Sequence, residues 1–167
     1  GLMGDSATDE YRGTDNRGGS YSAVTFNWME HLVRLRGVDA GDWGVRAEPR
    51  RTGYEYNWAR TGATAQSLIS GGQHTGLAAQ VAAGEIDLIF LSIGSNDFAP
   101  YRSNGYEPIY SGTVSGAALQ QKIDEIVANM ALAIDTARGT SNVPVVVTTI
   151  GDWGYSPTVV NDPRFPD

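Results

Sequence analysis

The 167-residue chain predicts an α/β fold of three layers, with helices on both faces of a doubly wound parallel sheet. Three observations carry that expectation. Two short apolar runs, residues 86–93 and 143–150, read as strands buried on both faces. Helical periodicity occupies the stretches between strands, most clearly at 115–138. Two strands then end in small or amide-bearing residues, Gly4-Asp5-Ser6 and Gly94-Ser95-Asn96-Asp97, at the end where open α/β sheets hold ligands.

The length fits one domain over residues 1–167, long enough to bury a core. A net charge of -7 argues against nucleic acid or an anionic membrane surface as partner. No apolar run is long enough to cross a bilayer. The absence of cysteine excludes a disulfide framework, a thiolate nucleophile and a cysteine-based zinc site, and leaves the compartment open.

Taken in order, Gly1 to Met3 form the end of strand one and Gly4 to Thr8 the turn leaving it. The polar, glycine-rich segment 9–20 reads as a solvated loop. Its acidic residues Asp9, Glu10 and Asp15 lack the ligand spacing of a calcium loop, so no metal is expected. A helix is expected over 21–36, with Val24, Trp28, Leu32 and Leu35 as its apolar stripe, Ser20 as N-cap and Gly37 as stop. Residues 45–56 suit a second strand near the sheet edge, with a loop inserted around Pro49.

Residues 57–64 lead into a helical stretch that breaks near Gly71-Gly72 and resumes to about Ala83. After the central strand, 99–112 is a loop rich in tyrosine (Tyr101, Tyr106, Tyr110), either walling a cleft or packed on itself. The 115–138 helix buries Leu119, Ile123, Ile126, Val127, Met130 and Ile134. The segment 151–167 has three prolines and no periodicity.

Alternation of this kind implies right-handed βαβ units and the strand order 2-1-3-4. That order sets the ends of strands one and three side by side, so Ser6 and Asn96 face one crevice. A serine on a tight turn there is a reasonable nucleophile. The Asn96 amide, the Ser6 N–H and the Gly62 N–H are donors able to hold a developing oxyanion.

Gly4-Asp5-Ser6, Asn57-x-Ala59-x-x-Gly62-Ala63-Thr64 and Gly94-x-Asn96-Asp97 together resemble the first three sequence blocks of the SGNH (GDSL-type) hydrolases. The resemblance implies a flavodoxin-like sheet and esterase, lipase, thioesterase or carbohydrate deacetylase chemistry without a cofactor. It assigns Ser6 as nucleophile, and Gly62 and Asn96 to the oxyanion hole. Asp5 and Asp97 would be structural, tying loops through backbone N–H groups. Ala7 stands where the family more often has leucine.

The family's last block, Asp-x-x-His, which supplies the base and its orienting acid, has no counterpart here. His31 and His74 are the two histidines, with Trp28 and Gly71 three residues before them. The expectation is therefore a domain incomplete at both ends, with its last strand, last helix and catalytic histidine and aspartate elsewhere, cut away or on a second polypeptide. Alone, such a chain would be nearly inactive. The expected substrate is a short acyl ester or an acetylated carbohydrate. The rival is a non-catalytic carbohydrate- or peptide-binding module on a degenerate hydrolase fold. A flavodoxin-like nucleotide binder is disfavoured, because Gly4-Asp5-Ser6 and the acidic residues after it would repel phosphate.

Overall fold

Strand β1 (Leu2–Gly4) pairs in parallel with β4 (Ile89–Ser92), and β4 pairs in parallel with β5 (Val145–Val147). This three-stranded sheet is the core of the computed structural model, which describes residues 1–166 and leaves Asp167 outside. Alternate residues of each strand serve opposite faces. Met3, Ile89 and Leu91 enter one apolar cluster with Leu68, Leu77 and Ile126; Leu2 and Phe90 enter another with Met29 and Ala40. Helices α2 (Ala65–Ser70), α3 (Gln73–Ala82) and α5 (Gly116–Arg138) cover the first face, and α1 (Trp28–Arg36) the second. The result is the three-layer α/β/α arrangement expected from the sequence.

Strand two differs from expectation. Residues 43–54 form a separate antiparallel hairpin, β2 (Trp43–Val45) with β3 (Thr52–Tyr54). The place beside β1 is taken by residues 56–58. Leu2 N–H donates to the Tyr56 carbonyl at 2.8 Å, Trp58 N–H donates to the Leu2 carbonyl at 2.9 Å, and Leu2 bridges Asn57. The 2-1-3-4 order survives, with its second member reduced to one rung.

Helix α1 also departs from expectation. It starts at Trp28, capped by Asn27 and not by Ser20. Of the expected stripe, Trp28 packs on the core and Leu32 is half-buried, but Val24 and Leu35 are 72% and 73% exposed; Met29 and Glu30 are the fully buried residues. On α5 the fully buried seam is Ile126, Ala133 and Ala137, while Ile123 and Val127 flank it in solvent. Small alanines let α5 lie close on α2 and α3, so a narrower stripe suffices. The tyrosine segment contains a short helix, α4 (Tyr106–Tyr110), and the tail a last one, α6 (Pro157–Val160). Among the described residues, no helix is long and apolar enough to cross a membrane.

Candidate active site

Gly4 closes β1, and a Cβ there would lie 2.5 Å from the Ser92 carbonyl oxygen, so only glycine lets the two strand ends come this close. The Asp5 N–H extends the pairing by donating to the Ser92 carbonyl at 3.2 Å. The chain then coils tightly, Thr8 and Asp9 N–H both donating to the Asp5 carbonyl at 3.1 and 2.9 Å. Ser6 stands on this turn, partly exposed. The Arg17 guanidinium clasps the turn from outside by donating to the Ser6 and Asp9 carbonyls, and stacks on the Tyr11 ring.

Strand β4 ends in the same direction. Gly94, at φ +107°, turns the chain into a single 3-10 turn, Ser95–Asp97, and a Cβ on it would strike Ile150. Asn96 is 3% exposed. Its Nδ2 donates to the Ala63 carbonyl at 2.9 Å, and its Oδ1 accepts from the Tyr101 hydroxyl.

Ser6 and Asn96 line one pocket of about 240 Å³. Its other walls are Asp5, Ala7, Ser92, Ile93, Ser95 and Tyr101, with Thr148 to Gly151 and Trp153 from the segment after β5. Gly62 is not among them. It lines a neighbouring pocket with Arg60, Thr61 and Ala63, at φ +79°, and its carbonyl accepts from Arg102 Nη2 at 2.6 Å. Its link to the Ser6 pocket runs through the next residue, Ala63, which holds Asn96.

Asp5 lines this pocket, and Asp97, next to Asn96 in sequence, lines a different one. Asp5 Oδ1 accepts from Ala7 N–H and Asp97 Oδ2 from Ala65 N–H, each at 2.9 Å. Burial pushes both carboxyls above the ordinary aspartate range, those backbone hydrogen bonds oppose the rise, and the Asp97 charge adds to it at Asp5. Each fastens a loop: Asp5 the serine turn, Asp97 the start of α2.

Neither histidine lines the pocket. His31 is exposed on α1, edge-on to Phe26 at 5.8 Å. His74 is buried at the start of α3, and desolvation lowers its pKa. Among the described residues, no three or more His, Asp or Glu side chains converge as metal ligands would.

The segment expected to be a solvated loop begins as a buried polar knot. Thr8, Asp9 and Glu10 are all buried. Asp9 Oδ2 accepts from both the N–H and the hydroxyl of Thr61 at 2.7 Å, and Glu10 Oε1 accepts from Tyr54 N–H at 2.8 Å. Asp15, by contrast, pairs with Arg51 at the surface. The tyrosine segment divides: Tyr101 faces the pocket, while Tyr106 and Tyr110 stack on each other and meet Phe165 edge-on.

Sequence reasoning missed Tyr101's contact with Asn96, and it missed Trp153 and the run Thr148 to Gly151 altogether. One signal was available for that run. It follows a parallel strand directly, so the rule that places Ser6 and Asn96 at the crevice applies to it as well, although β5, expected to be buried on both faces, leaves Val146 and Val147 exposed at the sheet edge.

Comparison with curated proteins and comparison with solved structures each find no match. Comparison with family models does: the GDSL-like Lipase/Acylhydrolase model matches residues 1–165. A match of that extent, over a chain whose β1 and β4 ends carry Gly4-Asp5-Ser6 and Gly94-x-Asn96-Asp97, means that this protein belongs to the GDSL-like lipase/acylhydrolase family and is a hydrolase of SGNH fold.

Proposed function

We propose that the protein hydrolyses carboxylic esters through an acyl-enzyme formed on Ser6. The Ser6 Oγ attacks the ester carbonyl and its proton passes to a base. The resulting oxyanion is held by the Asn96 amide and the Ser6 N–H, while Gly62, which lines a different pocket, contributes only by leading into Ala63, whose carbonyl holds the Asn96 amide. Collapse expels the alcohol, which takes the proton back, and water then releases the acid by the same path. The observation that carries this reading is that Ser6 and Asn96, ninety positions apart, line one pocket at the ends of two adjacent strands.

The base in this reading is a histidine outside residues 1–167, because His31 and His74 sit on elements away from the pocket. Without it, the oxyanion donors and substrate binding alone retain ~10³–10⁴-fold acceleration over water. A pocket of about 240 Å³, with hydroxyls from Ser92, Ser95, Thr148 and Thr149 and rings from Tyr101 and Trp153, suits a short acyl group on a polar alcohol such as a sugar.

The test uses the complete natural protein with p-nitrophenyl acetate. Ser6→Ala removes turnover and the initial burst of p-nitrophenol; unchanged turnover would end the assignment. The same absence of a histidine from the pocket favours one other reading, a binding module. That reading predicts no turnover by the parent protein, together with retained affinity for an acetylated sugar.

A further inference from the structure

We infer that Tyr101 is a positioning residue that holds the Asn96 amide in its donor orientation, an inference that rests on the oxyanion role proposed for Asn96. An amide offers two N–H donors and one carbonyl acceptor, and a 180° flip exchanges them. In Asn96 one N–H is taken by the Ala63 carbonyl at 2.9 Å, which leaves the other for the pocket. The Tyr101 hydroxyl donates to Oδ1 from the opposite side. Flipping the amide would set Oδ1 against the Ala63 carbonyl and remove the acceptor that the hydroxyl now uses. The network therefore determines which edge faces a reacting carbonyl.

The contact has a second effect. A hydrogen bond on an amide oxygen draws electron density from its nitrogen, so the remaining N–H becomes a stronger donor. Tyr101 is itself held in place. Its ring meets Trp153 edge-on at 6.3 Å and 90°, and Trp153 Nε1 donates to the Ser95 carbonyl at 2.9 Å. Ser95, Asn96, Tyr101 and Trp153 close a ring joining the loop after β4 to the segment after β5. Substrate occupying the pocket meets an amide already fixed from both ends.

A double-mutant cycle on the complete natural protein tests this. Asn96→Ala lowers kcat about 100-fold with KM little changed. Tyr101→Phe keeps the ring against Trp153 and removes the hydroxyl alone; it lowers kcat roughly tenfold, again with KM held. In the Asn96→Ala background the Tyr101→Phe loss disappears, because the hydroxyl has nothing left to orient. The Asn96 side-chain NH₂ protons, followed by NMR, exchange faster in Tyr101→Phe, a readout independent of turnover.

Unchanged kcat in Tyr101→Phe overturns the inference and leaves the Asn96 assignment standing. A Tyr101→Phe loss that persists in the Asn96→Ala background also overturns it, and means that the hydroxyl touches substrate directly. If Asn96→Ala itself leaves turnover intact, the oxyanion reading fails, and this inference with it.

Discussion

Gln73 shows how a single side chain sets the serine turn. It is buried at the start of α3 and grips Gly4 from both sides: Oε1 accepts the Gly4 N–H at 2.9 Å, and Nε2 donates to the Gly4 carbonyl at 3.0 Å. The carbonyl has a second donor in Arg60 N–H at 3.0 Å, but the Gly4 N–H has no other partner among the described residues. Gln73→Leu therefore strands one buried donor two residues before Ser6. We expect a loss of about 1–3 kcal/mol, read as a lower urea midpoint with an unchanged slope. An unchanged midpoint would mean that water reaches the freed group. Nothing in the sequence marks Gln73 for this task, because a glutamine opening a helix after Gly-Gly is ordinarily solvated. Ser6 and Asn96 were legible because strand ends have an address in a parallel sheet. Gln73, Arg17 and Tyr101 act across loops, and loops carry no periodicity to place them.

Helix α1 shows the same contrast for a whole element. Two start signals compete in the sequence, Ser20 and Asn27. The fold uses Asn27, which together with its partner Glu30 satisfies four backbone groups. Its Oδ1 accepts Glu30 N–H at 2.8 Å, Glu30 Oε2 accepts Asn27 N–H at 3.0 Å, and Nδ2 donates to the Thr8 and Asp9 carbonyls at 3.0 Å each. The apolar spacing of Val24 and Trp28 that suggested a longer helix is accidental, since Val24 faces solvent. α5 starts within a residue of the position its sequence predicts, because 23 residues of sustained periodicity leave little room for accident. The Asn27 cap yields a prediction by comparison with α2, where Thr64 and Ser67 make the same capping box at an exposed site. Thr64→Ala costs about 1 kcal/mol. Asn27→Ala, which also withdraws a donor from the buried serine turn, costs roughly 2–4 kcal/mol. Thermal unfolding of the two variants side by side gives the order; equal losses would show that the Thr8 and Asp9 contacts contribute nothing.

At the scale of the whole molecule, folding places carboxyl groups where charge is costly. Glu10 lies behind the β2–β3 hairpin, so close that a Cβ on Gly53 would sit 2.6 Å from its carboxylate. Desolvation raises its pKa from 4.5 to about 7, against the opposing hydrogen bond from Tyr54 N–H. Asp5 and Asp97 are raised for the same first reason. The sign of the linkage follows directly. Below about pH 4.5 the Glu10 carboxyl is protonated in both folded and unfolded chains, so it contributes no pH dependence. Between 4.5 and 7 the unfolded chain has released a proton that the folded chain keeps, so stability falls as pH rises. Above about 7 both states are ionised and the loss is complete. A shift of this size is worth on the order of 3 kcal/mol across that window. A net charge of -7 pushes the same way, since ionisation adds to self-repulsion. Glu10→Gln separates the two contributions: it keeps an acceptor for Tyr54 N–H and removes the titration. Urea unfolding of parent and variant at pH 5 and pH 8 should show the parent losing stability over that interval and the variant losing much less. If the variant falls as steeply as the parent, the pH dependence belongs to the overall charge and the other buried carboxyls, Asp5 and Asp97, and Glu10 keeps its ordinary pKa in the fold.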